Sequence, residues 1–316
     1  MKNFALELNS IVKNFGTKPV LNQLNLAIKH GEVYGLLGAN GAGKSTTVRL
    51  ICGLLQADAG TAYCLGQKVG KPISLLGYMP QIGSLYNDLT VIEHLYFFAG
   101  IYGLNKIEQR VDQLLDQYRL SARKHERVGN LSGGWRQRLA FVVSIIHEPR
   151  LLLLDEPSAG LDPSAREQLW KSIRTLTDLQ GVTVLVTTHY IEEASRCDRI
   201  GYLAKGHLMA EGEPHALAKH LSLNTWHISQ VNSNNSAQLF EKTLFERLTD
   251  SIGLNRVSNG WRLTCSQQTL LPQAILDSVE DYHATIIQVQ TDLADTLTWL
   301  AREAAENSKP IAKVSR

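Results

Sequence analysis

The stretch Gly38-Ala39-Asn40-Gly41-Ala42-Gly43-Lys44-Ser45-Thr46 fits the pattern G-x-x-x-x-G-K-[ST], with Gly38, Gly43, Lys44 and Ser45 at the fixed positions. Glycines let a backbone turn tightly enough to aim successive N–H groups at phosphate oxygens. A helix that starts there adds the positive end of its dipole. Lys44 is then placed to reach the β- and γ-phosphates of a nucleotide, and the Ser45 hydroxyl to hold Mg²⁺. The flanks agree: the apolar run Glu32–Leu37 reads as a buried strand, and Thr47–Cys52 as the opening of a helix. A glycine-rich turn with a surface lysine would need neither flank.

Other polar residues stand where apolar runs stop. In Arg150-Leu-Leu-Leu-Leu-Asp-Glu-Pro157, four leucines between two prolines read as a strand buried on both faces, ending in Asp155 and Glu156. Gly181-Val-Thr-Val-Leu-Val-Thr-Thr-His189 is a second such strand, ending in a histidine. Strands of this kind belong to parallel sheets, whose ligands sit at the carboxyl ends. Leu131-Ser-Gly-Gly134 is another glycine turn leading into a helix, Trp135 to His147, with Ser132 as N-cap. Arg136 and Arg138 lie in that helix's first turn, where cations oppose the dipole, so an acidic partner or a ligand is expected beside them. Asp162 precedes Pro163-Ser-Ala-Arg-Glu, a helix opening with proline in its first turn. Leu75–Pro80 is a strand that delivers Gln81 to a loop. Phe15, in the turn Asn14–Pro19, is either an aromatic platform for a base or a turn residue packed on its sheet.

The elements that must hold these residues follow in chain order. Residues 4–12 and 20–30 alternate as strands, and Gly60–Gly66 is another short strand between glycines. Residues 91–102 and 106–119 carry helical spacing, the second with Ile107, Val111, Leu114 and Leu115 on one face. Glu192–Cys197 is a short helix, and 200–212 a hairpin turning at Lys205-Gly206. Strands alternating with helices make the first ~220 residues an α/β domain with a largely parallel core and an antiparallel portion beside it. Composition shifts near Ser222. Beyond it the pattern predicts strands at 225–229, 261–265 and 284–290, and helices at 237–252, near 270–282 and at 291–306, a small α+β domain in which no chemistry stands out.

The 316 residues are 44% hydrophobic and 20% charged, ordinary for a globular protein, and suggest two domains. A net charge of +2 makes no electrostatic case for nucleic acid. Cys52, Cys64, Cys197 and Cys265 are scattered and form no C-x-x-C pair, so free thiols in a reducing compartment are expected. The first nine residues read as a strand rather than a secretion signal. The most apolar region, Leu139–Leu154, is broken by His147, Glu148, Pro149 and Arg150, and each half falls far short of the ~20 apolar residues a spanning helix needs.

Taken in order, the loop at 38–46, Gln81, Leu131-Ser-Gly-Gly134, the strand Leu151–Glu156, Ser158-Ala-Gly-Leu-Asp162 and His189 resemble the nucleotide-binding domain of ATP-binding cassette (ABC) proteins. The resemblance covers residues 1 to about 220. It implies an α/β P-loop NTPase fold over 1–221, with a parallel core sheet, an antiparallel β subdomain and a helical subdomain. A small α+β accessory domain at 222–308 and a basic tail at 309–316 follow.

The family's residue roles then fall on this sequence as expectations. ATP lies on residues 38–46 with its adenine on Phe15, and Mg²⁺ is held by Ser45 and Gln81, with Asp155 on its water shell. Glu156 is the general base, and His189 contacts the γ-phosphate. Ser132, Gly133 and Gly134 bind the γ-phosphate held by a second cassette, with Asp162 on the seam, so a dimer is implied, most simply a homodimer. One residue departs from the pattern: the fifth signature position, commonly glutamine, is Trp135. An indole cannot accept a hydrogen bond, so it either stacks or packs where the family makes a polar contact.

The style of the chain resembles ATPases of bacterial ABC-2 type (drug or multidrug-like) exporters. That implies a cytoplasmic protein, peripheral on the inner face of the cell membrane, coupled to separately encoded membrane-spanning subunits through the region of Gln81 and residues 82–100. The rival is a soluble ABC ATPase acting on ribosomes or DNA. The ribosome factors carry two cassettes in one chain and the DNA-repair types long inserted coiled coils, and this sequence has neither.

Overall fold

Apolar residues alternate along 4–28 but run almost unbroken through 33–37, 151–154 and 182–186, which calls for one sheet with a single buried face and one buried on both. The computed structural model has both. It describes residues 4–70, 74–81, 85–229, 234–247, 252–267, 271, 273–282 and 284–306, which fall in two compact units, Met1–His189 and Tyr190–Arg316.

In the first unit, β1 (Phe4–Phe15) pairs antiparallel with β2 (Lys18–Lys29) on one side and with β4 (Ala59–Cys64) on the other, and β5 (Gln67–Lys68) follows β4. The β1–β2 turn is tighter than the expected turn over 14–19. Phe15 pairs with Lys18, and Gly16 takes the left-handed φ of 60° that such a short reversal demands.

The second sheet of this unit contains β3 (Val33–Leu37), β6 (Leu76–Met79), β7 (Leu151–Asp155) and β8 (Thr183–Thr188), parallel and in the order β3-β8-β7-β6. Every residue of β3, β7 and β8 is buried, which explains their unbroken apolar runs. Register does the positioning. Thr187 of β8 lies opposite Leu36 of β3 and opposite Asp155 of β7, so the carboxyl ends of three strands meet along one edge.

The helices fix the rest. α1 (Lys44–Ile51) starts directly from the glycine loop. α2 (Val91–Ile101) opens with a reciprocal capping box between Thr90 and Glu93, and α3 (Ile107–Gln117) buries Val111, Leu114 and Leu115. α4 (Gly133–Ile145) begins at the second glycine turn. α5 (Pro163–Gln180) is capped by Asp162, whose Oδ1 accepts the Ala165 N–H at 2.9 Å, and ends on Gly181 at a φ of 68°.

The second unit opens with α6 (Ile191–Ala194) and the hairpin β9 (Arg199–Ala204) and β10 (His207–Gly212). Lys205 and Gly206 both have positive φ, as a two-residue hairpin turn requires. After α7 (Leu217–His220) come β11 (Leu223–Ser229), α8 (Asn234–Arg247), β12 (Gly253–Val257), β13 (Gly260–Ser266), α9 (Gln273–Asp281), β14 (Ile286–Val289) and α10 (Leu293–Glu306). The strands form an antiparallel sheet in the order β12-β13-β11-β14, so β11 to β14 make a split βαβ arrangement, βαββαβ in sequence. Ile228, Phe240, Trp261, Leu263, Cys265 and Ile275 make its core.

Sequence reading did not foresee β12, whose Asn255 and Arg256 dilute the alternation and which lies at the sheet's edge. A Cβ on Gly253 would come within 3.0 Å of the Trp299 Cα, so glycine there lets α10 approach β12 closely. The expected tail at 309–316 lies outside the described residues. All four cysteines are free, and burial pushes the Cys52 and Cys64 thiols up to about 12. Among the described residues, no helix is long and apolar enough to cross a membrane.

Candidate nucleotide site

The glycine loop joins β3 to α1 at the common strand edge. Gly41 and Gly43 have φ of 81° and 111°, conformations that side chains strain to adopt, and the Ala42 N–H closes a turn onto the Ala39 carbonyl at 3.1 Å. Lys44, only 4% exposed, folds back over this loop. Its ammonium donates to the Gly38 carbonyl at 2.8 Å and the Ala39 carbonyl at 3.2 Å, and lies 3.4 Å from Glu156 Oε1. Ser45, next along α1, donates from its hydroxyl to Asp155 Oδ1 at 3.1 Å.

Glu156 is where the scattered residues converge. Gln81 donates its Nε2–H to Glu156 Oε2 at 3.1 Å, and His189 Nδ1 lies 3.3 Å from the same oxygen. Thus a residue from β6's exit, two from β7's end, one from the glycine loop and one from β8's exit meet within hydrogen-bonding reach. Glu156 takes a left-handed φ of 51°, uncommon for a residue with a side chain and of the kind that clusters at working sites.

Thr187 holds that backbone in place, and sequence reading missed it. Its hydroxyl donates to Asp155 Oδ1 at 2.6 Å and accepts the Glu156 N–H at 2.9 Å, while its carbonyl receives the same N–H at 3.2 Å. One residue thus fixes both carboxylates. The available signal was a hydroxyl near the end of a buried strand, two residues before His189.

Phe15 is half-exposed at the end of β1, with the Lys13 ammonium 5.6 Å from its ring centroid. One half of the ring is covered and the other open, which accommodates both a base platform and a turn residue packed on its sheet. Asp162 serves as N-cap of α5.

At the second glycine turn, Ser132 has the extended N-cap conformation but makes no side-chain cap bond, and Ser132 and Gly133 are exposed. The first-turn N–H groups of α4 therefore have no side-chain cap. Of the acid or ligand expected beside Arg138, no acid is found among the described residues. Arg138 donates to the Tyr118 carbonyl at 3.3 Å and to the Gln168 side chain, and its guanidinium lies 4.4 Å from the Trp135 ring centroid. Arg123 lies 4.8 Å from that centroid. Desolvation, and then the charge of Arg119, lower the Arg138 pKa.

Trp135 is thus an internal platform for two guanidinium groups. Two partly exposed cation–π contacts are worth about 1–2 kcal/mol together. Trp135→Gln is expected to lose roughly that much unfolding free energy in a denaturant titration. An unchanged midpoint would mean that the arginines do not hold the ring.

A phosphate-binding loop between a buried strand and a helix, facing two carboxylates at the carboxyl ends of parallel strands, defines a P-loop nucleotide-binding cassette. Comparison with known proteins agrees. The family model described as "ABC transporter" matches residues 21–159. The chain is 42% identical over 224 residues to the Nod factor export ATP-binding protein I of Rhizobium sp. (strain N33), covering 69% of this chain and 73% of that one. It is 43% identical over 216 residues to the probable multidrug ABC transporter ATP-binding protein YbhF of Escherichia coli (strain K12), covering 66% of this chain but only 37% of the length of that relative.

A solved ATP-binding subunit of an ABC transporter superposes with a TM-score of 0.62 at 30% identity, over 68% of this chain and 92% of that one. A dimeric post-hydrolysis ATP-binding cassette bound to ADP and Pi superposes with a TM-score of 0.61 at 26% identity, over 66% and 98%. The chain belongs to the ATP-binding proteins of the ABC transporter family, and its relatives include a protein named as an export ATP-binding protein.

Proposed function

We propose that this chain is the ATP-hydrolysing subunit of an ABC exporter, coupling cassette dimerisation and hydrolysis to the movement of separately encoded membrane subunits. The observation that carries the reading is the convergence of Lys44, Gln81 and His189 on Glu156 at the end of β7. Hydrolysis is chiefly a matter of positioning a water and stabilising charge on the γ-phosphate. Glu156 orients and accepts a proton from that water. Lys44 exchanges its loop carbonyls for phosphate oxygens, which releases Glu156 from one cationic neighbour. His189 contacts the γ-phosphate, and Phe15 supports the adenine.

The residues around Ser45 suit Mg²⁺. The Ser45 hydroxyl, the Asp155 carboxylate and the Gln81 amide oxygen are hard oxygen donors, and a magnesium ion takes few protein ligands beside substrate phosphates. Ser45 and Gln81 would ligate it, and Asp155 would hold its water shell. Held by these residues, Mg²⁺ would supply charge neutralisation to the nucleotide's phosphates. Thr187 keeps Asp155 aimed at Ser45.

The exposed Ser132–Gly134 turn favours a second cassette's γ-phosphate as its ligand, with Asp162 on the seam, so the working form is a dimer, most simply of two copies. We place the cassette at 1–221 and the accessory domain at 222–308, where the β12-β13-β11-β14 sheet begins with β11 at Leu223. Tyr86, Tyr96, Phe97 and Ile101 form an exposed apolar face on and before α2, and this supports docking of a membrane subunit there. Of the coupling region expected at 82–100, residues 82–84 lie outside the described residues. The export relatives favour export, with the subunit peripheral on the cytoplasmic face of the membrane.

Affinity capture of the full chain from detergent-solubilised membranes tests this. A polytopic membrane subunit that stimulates the chain's Mg²⁺-dependent ATP hydrolysis is the expected result. Recovery of ribosomes or nucleic acid without such a subunit would replace the exporter by the soluble class.

A further inference from the structure

One contact joins the two halves of this site within a single chain. Gln137, at the start of the second turn of α4, donates its Nε2–H to the carbonyl of Pro157 at 2.6 Å. Pro157 immediately follows Glu156. Gln137 itself stands three residues after Gly134, at the end of the helix that begins with the exposed Ser132 turn. The backbone beyond Pro157 is a compact turn, with the Ala159 N–H on the Glu156 carbonyl at 3.2 Å and the Leu161 N–H on the Ser158 carbonyl at 3.1 Å. Any displacement of the α4 N-terminus therefore pulls directly on the segment that carries Glu156.

The surrounding packing gives this bond its weight. A cavity of about 350 Å³ lies between α4 and α5, lined by Gln137, Arg138, Phe141, Leu161, Gln168 and neighbours. The two helices are thus not joined by continuous side-chain packing at this level. A polar tie crosses the gap instead, Arg138 to Gln168, while Gln137 ties α4 to Pro157 in the segment ahead of α5. Tightly packed contacts transmit strain, so where packing is interrupted the remaining hydrogen bonds carry the coupling.

We propose that Gln137 is a positioning residue that links the two nucleotides of the dimer. A phosphate bound at Ser132–Gly134 and held by the partner cassette fixes α4, and Gln137 passes that fixation to the Glu156 that acts on this chain's own nucleotide. The proposal rests on the two-cassette reading above.

The test uses full-length Gln137→Met, which keeps length and volume but removes the donor, and Gln137→Glu, which is isosteric and presents oxygens to the Pro157 carbonyl. Nucleotide binding to the monomer and Mg²⁺-ATP-driven dimerisation are expected to stay at wild-type values, and the thermal midpoint to fall only by the few degrees that one lost hydrogen bond costs. Loss of one such hydrogen bond from the reacting geometry is expected to lower kcat about tenfold, with KM little changed. The Hill coefficient for ATP should fall from near ~2 toward ~1 as the two sites uncouple.

Wild-type kcat and Hill coefficient in both variants would overturn the proposal. So would a lower kcat that merely follows a lower thermal midpoint with the Hill coefficient kept. If the wild type itself neither dimerises with ATP nor shows cooperativity, the two-cassette reading fails and takes this link with it. That failure shows in the wild type, whereas failure of the link alone shows only in the variants.

Discussion

Glu156→Gln is expected to hydrolyse ATP at least about 10²-fold more slowly than the wild type while still binding it, as loss of a general base requires. The amide has the shape of the acid, so the left-handed backbone at 156 and the Thr187 bonds to its N–H should persist. The Gln81 Nε2–H can still donate to the new Oε1. What disappears is the negative charge that lies 3.4 Å from the Lys44 ammonium and 3.3 Å from His189. Lys44 then has one competitor fewer for phosphate oxygens, so affinity should hold or rise. Phosphate release under saturating Mg²⁺-ATP, measured beside equilibrium binding of a fluorescent ATP analogue, separates the two effects. Turnover within a few-fold of wild type would remove Glu156 as the base.

The Glu156 cluster was legible in the sequence because each member is announced by its own local rule. A glycine pattern signals the loop, four leucines signal a strand buried on both faces, and polar residues at strand ends signal the ligand edge. Their meeting point depends only on parallel register, and short connected strands leave little choice about that. Thr187 was not legible. Its two bonds form because β8 lies between β3 and β7, an order that no local pattern encodes.

Gln137 was hidden for a related reason, since its partner is a backbone carbonyl twenty residues away, and carbonyls leave no trace in residue type. The surroundings of Arg138 show how a local rule leaves the partner open. Cations at a helix start suggested an acid or a ligand, and within this chain an aromatic ring and carbonyl oxygens answer part of that need.

The second unit shows the same limit at the level of fold. Its helices other than the short α7 were foreseen, with boundaries a few residues off, and three of the four strands of its β12-β13-β11-β14 sheet as well. β12 escaped because an edge strand buries little and tolerates Asn255 and Arg256. Without β12 the unit reads as a loose α+β domain. With it, the order β12-β13-β11-β14 emerges, and Gly253 gains a reason in the close approach of α10.

Lys44→Ala is expected to weaken ATP binding by about 10- to 100-fold, the range for a lost charge-assisted hydrogen bond. The structure adds a complication that Lys44→Met resolves. Lys44 is nearly fully buried, and its ammonium satisfies the Gly38 and Ala39 carbonyls as well as facing Glu156. Alanine removes the packed aliphatic stem together with the charge, so the loop can collapse and binding can fall for want of a cradle. Methionine keeps most of the stem and removes only the charge. If the ammonium is what phosphate recognises, both variants should lose affinity by a similar factor, and Lys44→Ala alone should lose additional unfolding free energy. Lys44→Arg is expected to bind poorly too, since a planar fork does not fit a position reached by a compact ammonium folded over the loop. Binding of all three at wild-type affinity in a titration with a fluorescent ATP analogue would reject the phosphate loop itself, and with it the site built around it.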